Sequence, residues 1–230
     1  MATIDEQAAA YEASRERIDG LTRSLDDAAL ATTVPCCPAW SVKDLVGHLT
    51  GLLEDRTEGR MPAGGFGEWT AEQVARHRDQ PIGAVLDAWR AIDVEKNDAP
   101  PSLAALSFDV VTHEHDLRHA LGIEGDRASD SVRVGAERAG ERMSSMLQGA
   151  SAPGVIVTTE DGIQLVEGTS DPIALTTTRY GLMRLVTGRV SRAQAEALSW
   201  SGDAAPVLDA LFADGFFTLQ PVDVLEAEPS

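Results

Sequence analysis

The sequence predicts a mainly α protein, with an N-terminal four-helix bundle over residues 1–150 and a small α+β domain over residues 151–230. Three observations predict it. Apolar residues recur every three to four positions through most of the chain up to Leu121, the spacing of a helix with one buried face. Clusters of glycine and proline cut that pattern into helix-sized stretches with short connections, as an antiparallel bundle requires. After Gly149 the period changes to the alternation of half-buried strands, so the boundary is expected near residues 149–153.

Residues 4–31 read as the first helix, with Ile4, Ala8, Tyr11, Ile18, Leu21 and Leu25 at helical spacing. Thr32 to Pro38 reads as a proline-bounded loop holding Cys36 and Cys37. Ser41 is an N-cap with Asp44 three residues on, a capping-box pattern. The helix it opens carries Val42, Leu45, Leu49 and Leu52 on one side, and His48 falls on that side too. Gly59 to Gly67 marks a loop, and a third helical region runs from about Glu68 to Lys96, broken or kinked at Pro81. Asn97 to Pro101 is a second break. The fourth helix spans about 102–121 and is closed by Gly122. A further helix from about Ser129 to Leu147 leads onward. Gly154–Thr159 and Ile163–Glu167 then form a hairpin around Asp161-Gly162, with a third strand from Ile173 and helices at 178–188, 191–198 and 204–213.

The totals limit the function classes. The chain has 230 residues, 43% of them hydrophobic and 24% charged, ordinary for a soluble globular protein with a real core. The 19 basic and 37 acidic residues give a net charge of −18, which argues against a nucleic-acid or anionic-membrane surface, since nothing offsets phosphate repulsion. Met1 to Glu6 lacks the features of a signal peptide, and no apolar run approaches the roughly 18 residues of a membrane span. The two cysteines are adjacent, so there is no disulfide framework, and a cytoplasmic location is expected.

The chemistry gathers in Ser107 to Gly122, which holds three of the five histidines. Leu106, Val110, His113, Leu117 and Leu121 share one helix face, so His113 points toward the core, with Asp109 one turn before it and Asp116 just under one turn after. His48 faces inward from a second helix. His48, Asp109 and His113 offer nitrogen and oxygen donors suited to zinc, with a fourth position open. The alternative is a pair of hydrogen-bonded core histidines with Asp109 as their partner. Asp116 is expected to orient an imidazole or to act as a cap. Glu114, His115 and His119 are expected to face water, with a His115/His119 pair as the competing metal geometry. His77, between two arginines, reads as surface, Trp40 and Trp69 as packing, and Cys36-Cys37 as a plain loop. Arg189, after a helix that ends at Gly188, is either an anion clamp or simply exposed.

At these residues the chain resembles a known family. Pro38-Ala-Trp40-Ser-Val-Lys-Asp44-Leu-Val-Gly-His48-Leu is similar to the P-x-W-[ST]-V-x-D-L-x-x-H-L motif of the mycothiol-dependent maleylpyruvate isomerase family, within the DinB-like superfamily. Asp109-x-x-x-His113-x-x-Asp116-Leu resembles its second motif, usually E-x-x-x-H-x-x-D-L. Arg184 to Arg189 and Trp200 to Asp203 are similar to its C-terminal domain. The resemblance implies a bundle holding a divalent metal, typically zinc, through His48, His113 and the residue at 109. Asp109 stands where the family usually has Glu, so the site must contract or change denticity. The resemblance further implies mycothiol as the cofactor thiol, activated by the metal for isomerisation or S-transfer on a small electrophile. Arg189, if it faces the bundle from the second domain, could hold a substrate carboxylate. The rival readings are a metal- or ligand-binding module without turnover, and a metal-dependent hydrolase using Asp116 or Glu114 as general base.

Overall fold

Thr3 opens the first helix with a reciprocal cap: its hydroxyl accepts from the Glu6 amide while the Glu6 side chain returns to the Thr3 amide. This computed structural model describes residues 2–60, 62, 65–95, 102–168 and 170–224. Residues 2–125 form one compact unit, and a second begins at Asp126.

In the first unit, α1 spans Ile4–Thr22. It is shorter than the sequence suggested, because Asp26 caps a new single turn, α2 (Asp27–Leu30), instead of continuing the old helix. Thr33–Val34 (β1) and Cys37–Ser41 (β2) pair antiparallel, so the expected plain loop is a small hairpin turning at Pro35 and Cys36. The Ser41/Asp44 capping box then opens α3 (Val42–Glu58), closed by Gly59 in the left-handed conformation. The third helical region is two helices, α4 (Phe66–His77) and α5 (Ile82–Arg90), separated at Pro81 as expected. Ser102 caps α6 (Leu103–Leu121), and Gly122 ends it at φ 65°. The break expected at Asn97–Pro101, and part of that at Gly59–Gly67, lie outside the described residues.

Helix α6 packs on α1, on α3 and on β1, and α3 packs on α4 and α5 as well. The two helices that carry the histidine motifs are therefore the inner ones. Two glycines bring α4 close to α3. A Cβ on Gly47 would stand 3.2 Å from the His77 Cβ, and one on Gly51 would stand 2.8 Å from the Gln73 Cβ. At Gly51 only glycine allows α4 so near, and at Gly47 a side chain would press on His77.

The second unit begins with α7 (Asp130–Gly149), which buries Val132, Ala136, Ala139, Met143 and Leu147. Its strands are β3 (Pro153–Thr159), β4 (Gly162–Val166), β5 (Ser170–Thr176) and β6 (Ser199–Trp200), in sheet order β4-β3-β5-β6. Its remaining helices are α8 (Arg179–Val186), α9 (Arg192–Glu196) and α10 (Ala205–Leu211). The hairpin expected at Asp161-Gly162 is present, with Gly162 at φ 120°. The chain returns along β4 and crosses to the far side of β3, so β5 runs parallel to β3. Helix α7 packs on α8, α10, β3 and β4. The break between units therefore falls at Gly125/Asp126, ahead of this helix, where the change of sequence texture had put it at 149–153. A helix's pattern reports that it has a buried face, not which partner covers it. No helix among the described residues is long and apolar enough to cross a membrane.

Candidate metal centre

Three buried or half-buried side chains converge between α3 and α6. His48 is 4% exposed and His113 5% exposed. The Nε2 of His48 lies 3.6 Å from Asp109 Oδ2, and the Nε2 of His113 lies 3.5 Å from Asp109 Oδ1. One donor atom from each of the three falls within 4.8 Å of the others. The two imidazoles meet edge to face, with centroids 5.5 Å apart. Trp40, from β2, lies across them, 4.8 Å from the His48 ring and 6.1 Å from that of His113. The tryptophan read as packing is thus packing against the site.

The far side of each imidazole is tied down. His48 Nδ1 is 2.8 Å from Gln73 Oε1, and His113 Nδ1 is 3.0 Å from Asp116 Oδ2. Both partners can accept, so each Nδ1 carries a proton and donates it. When a ring is neutral, its Nε2 lone pair is then directed at Asp109, the arrangement in which outer hydrogen bonds fix a metal-binding tautomer. Asp116 is wholly buried. Gln73 had not been singled out in the sequence. Its signal was present: Trp69, Gln73 and His77 are spaced by four along one face of α4, and a glutamine in the middle of such a face needs a partner.

Charge is concentrated here. Burial alone would push the Asp109 carboxyl up, but the His113 and His48 imidazoles hold it well below the usual carboxylate range. Burial would lower His113, and Asp109 and Asp116 together raise it instead.

The donor set fits a divalent metal. Asp109 Oδ2 is buried and has no hydrogen-bond partner, a costly state for a carboxylate oxygen. Two donors on one tetrahedral zinc, at about 2.0–2.1 Å each, lie about 3.3–3.4 Å apart. The 3.6 Å from His48 to Oδ2 and the 3.5 Å from His113 to Oδ1 are each close to that edge, one at each oxygen of the carboxylate.

Other residues lie elsewhere than expected. Glu114 and His115 are buried, at 2% and 4% exposure, not solvated. A helix covered by α1 on one side and α3 on another has little face left for water. Glu114 accepts from Arg17 at 2.8 Å and from Arg118 at 3.0 Å. His119 is half-buried, with its Nδ1 3.9 Å from the Cys36 sulfur. Among the described residues, neither His115 nor His119 joins a set of three close donors. His77 is buried as well, 3.2 Å from Glu54 Oε2, so it is not a surface residue. Cys36 and Cys37 are unbridged, and Cys37 forms a second close set with His113 and Asp116. Arg189 belongs to the second unit. It is 7% exposed, donates from Nη1 to the Thr187 carbonyl at 2.7 Å, and lies over the Phe217 ring.

Residues 11–65 match the family model of the mycothiol maleylpyruvate isomerase N-terminal domain. That span includes the Trp40 and His48 motif but stops before Asp109. No curated protein matches the chain. Two solved structures share its fold. One is the mycothiol-dependent maleylpyruvate isomerase, at 15% identity and a TM-score of 0.57. The other is a histidine-to-alanine mutant of that enzyme, at 14% identity and a TM-score of 0.58. Each comparison covers 87% of this chain and 93% of the other. The family resemblance carried by the helix motifs is thus matched at residues 11–65 by the N-terminal domain model of mycothiol maleylpyruvate isomerase, and over most of the chain by that enzyme's fold.

Proposed function

We propose that this chain is a metal-dependent enzyme that activates a low-molecular-weight thiol, mycothiol or a close analogue, for isomerisation or S-transfer of a small electrophile. The observation that carries the reading is the convergence of two oriented Nε2 atoms on the Asp109 carboxylate, that of His48 on Oδ2, which has no hydrogen-bond partner, and that of His113 on Oδ1. His48, Asp109 and His113 would hold the ion, with zinc the expected metal for such donors. When bound, the ion supplies a Lewis acid beside which a thiol ionises near neutral pH.

The remaining work falls to the protein. Gln73 and Asp116 hold the protons at the two Nδ1 atoms, so neither ring can turn its lone pair away. Trp40 covers one side of the imidazoles and keeps water from it. Asp109 offsets positive charge at the centre, and its side chain stays 30% exposed, which leaves an approach for a small molecule.

Hydrolysis is less well supported. Its general base would have to be Asp116 or Glu114, and both carboxylates are buried and already engaged with His113 and with Arg17 and Arg118 respectively. A non-catalytic metal module would be favoured by a shell closed with four protein donors, whereas the close set built on Asp109 has three among the described residues. The test is a thiol-transfer and isomerisation screen of the zinc-loaded protein with mycothiol and a panel of activated alkenes. Turnover that needs both metal and thiol supports the reading. Metal binding with an ordered fourth protein ligand and no turnover overturns it.

A further inference from the structure

We propose that Gln73 and Asp55 are positioning residues, forming a relay that sets His48 in its Nδ1–H tautomer and so selects Nε2 as the metal-binding nitrogen. The inference rests on the metal-centre reading above and extends it to two residues with no contact to the donor set's open side.

The argument starts from the far end of the relay. Asp55 is 1% exposed and sits two turns beyond His48 on α3. Its Oδ1 lies 2.6 Å from Arg60 Nε and 2.7 Å from Arg76 Nη1. Two guanidinium groups keep this buried carboxyl ionised, and an ionised carboxylate can only accept hydrogen bonds. Asp55 Oδ2, 2.8 Å from the Gln73 side chain, therefore requires a donor there. The Gln73 amide has one NH₂ end and one oxygen end, and it is fully buried with no water to soften the choice. With the NH₂ committed to Asp55, the oxygen faces His48 Nδ1 at 2.8 Å. An amide oxygen cannot donate, so His48 must carry its proton on Nδ1. The orientation of an amide is usually a matter of assignment. Here the carboxylate dictates it.

The fold protects this chain of constraints. Gln73 reaches its place only because Gly51 has no side chain: a Cβ there would stand 2.8 Å from Gln73 Cβ and 3.0 Å from its Cα. Helix α3 thus supplies both ends of the relay and the gap through which α4 inserts the middle. His113 has the simpler device, a carboxylate acting directly on Nδ1. A neutral amide beside His48 achieves the same tautomer without a second charge against that ring.

The experiment uses metal-free protein with ¹⁵N-labelled histidine, reading the His48 tautomer from its ring nitrogen shifts at a pH where the ring is neutral. Zinc affinity is measured separately by chelator competition. Wild type should show the Nδ1–H form. Gln73→Met, similar in volume and unable to accept, should shift His48 toward the Nε2–H form and weaken zinc about 10–100-fold, the usual cost of an outer partner. The double variant Gln73→Glu with Asp55→Asn reverses which residue bears the carboxylate and keeps an acceptor against His48. It should restore the Nδ1–H form, which a merely structural role for Gln73 would not require. Retention of the Nδ1–H form in Gln73→Met overturns the relay, as does a tautomer shift that leaves zinc affinity unchanged. A wild type with the Nδ1–H form that binds no zinc overturns the metal reading while supporting the tautomer control.

Discussion

The Nε2 of His48 and the Oδ2 of Asp109 stand 3.6 Å apart. That is too far for a hydrogen bond and close to the edge of a tetrahedral zinc shell. The carboxylate oxygen has no other partner, and the imidazole is held from behind so that it cannot turn to find one. Two buried groups that could approach each other, and do not, leave space for a third. Purified protein should therefore retain one equivalent of divalent metal through dialysis, and His48→Ala or His113→Ala should lose it. Zinc at about 100 times its Kd should stabilise the wild type by about 2.7 kcal/mol and the variants not at all. Elemental analysis and thermal unfolding check this, and a variant that still holds one equivalent would remove its histidine from the site.

Asp109 is the residue where the chain departs from the pattern it resembles, so its substitutions discriminate. Asp109→Asn keeps the shape but loses the charge, leaving two imidazoles and a neutral amide oxygen. Zinc affinity should fall by more than the roughly 10–100-fold expected for an outer partner. Asp109→Glu lengthens the stem by one methylene and should still bind zinc. The carboxylate must then fold back, because the 3.5 and 3.6 Å separations already suit the shorter residue. Chelator competition on both variants measures the order wild type, Glu, Asn. An Asn variant as tight as wild type would show that the carboxylate is no ligand.

Helical phase was enough to find His48, Asp109 and His113, because each sits on an apolar stripe and the stripes of α3 and α6 face one another. The same reasoning misjudged Glu114 and His115. It assumed one buried face for a helix that is covered from two sides, and a polar residue on the second covered face looks solvated in sequence. His77 was hidden by its neighbours Arg76 and Arg78, although its spacing from Trp69 and Gln73 marks it as inward. Periodicity marks Gln73 as inward, but its pairing with Asp55 and His48 depends on the approach of α4 to α3, a tertiary fact set by Gly47 and Gly51. The hairpin at Asp161-Gly162 was readable because its turn is local. The parallel pairing of β5 with β3 depends on which side of the sheet the chain returns to, and no local pattern encodes that.

Glycines test the packing with opposite signs. At Gly51 an added methyl meets Gln73 at 2.8 Å, and the nearby Cα cannot move without the helix. Overpacking of this kind costs about 1–3 kcal/mol, against about 1 kcal/mol gained in helix propensity. Gly51→Ala should therefore destabilise the bundle by about 1 kcal/mol. At Gly20 on α1 nothing lies within 4 Å of an added Cβ, so Gly20→Ala should stabilise by up to about 1 kcal/mol. Urea unfolding of the two variants checks both signs, and equal effects would mean that α3 and α4 are not in close contact.

The pH dependence follows from Glu114. Burial alone would push this carboxyl up, but the Arg17 and Arg118 guanidinium groups, with His115 nearby, hold it below the usual carboxylate range. A depressed folded-state value means that the unfolded chain takes up the proton first as the pH falls. The contribution is therefore fully present at neutral pH and is lost as the pH drops below about 4, through the lower folded-state value. Glu114→Gln removes that dependence and leaves Arg17 facing a neutral amide. It should cost about 2 kcal/mol at pH 7, the scale of hydrogen bonds to a charged group. Near pH 3 the gap between the two proteins should shrink. Taking the difference also cancels the background from the net charge of −18, which acid relieves in both. Urea unfolding of wild type and variant at pH 7 and pH 3 measures it. A gap that stays constant between the two would show that Glu114 titrates alike in the folded and unfolded chains.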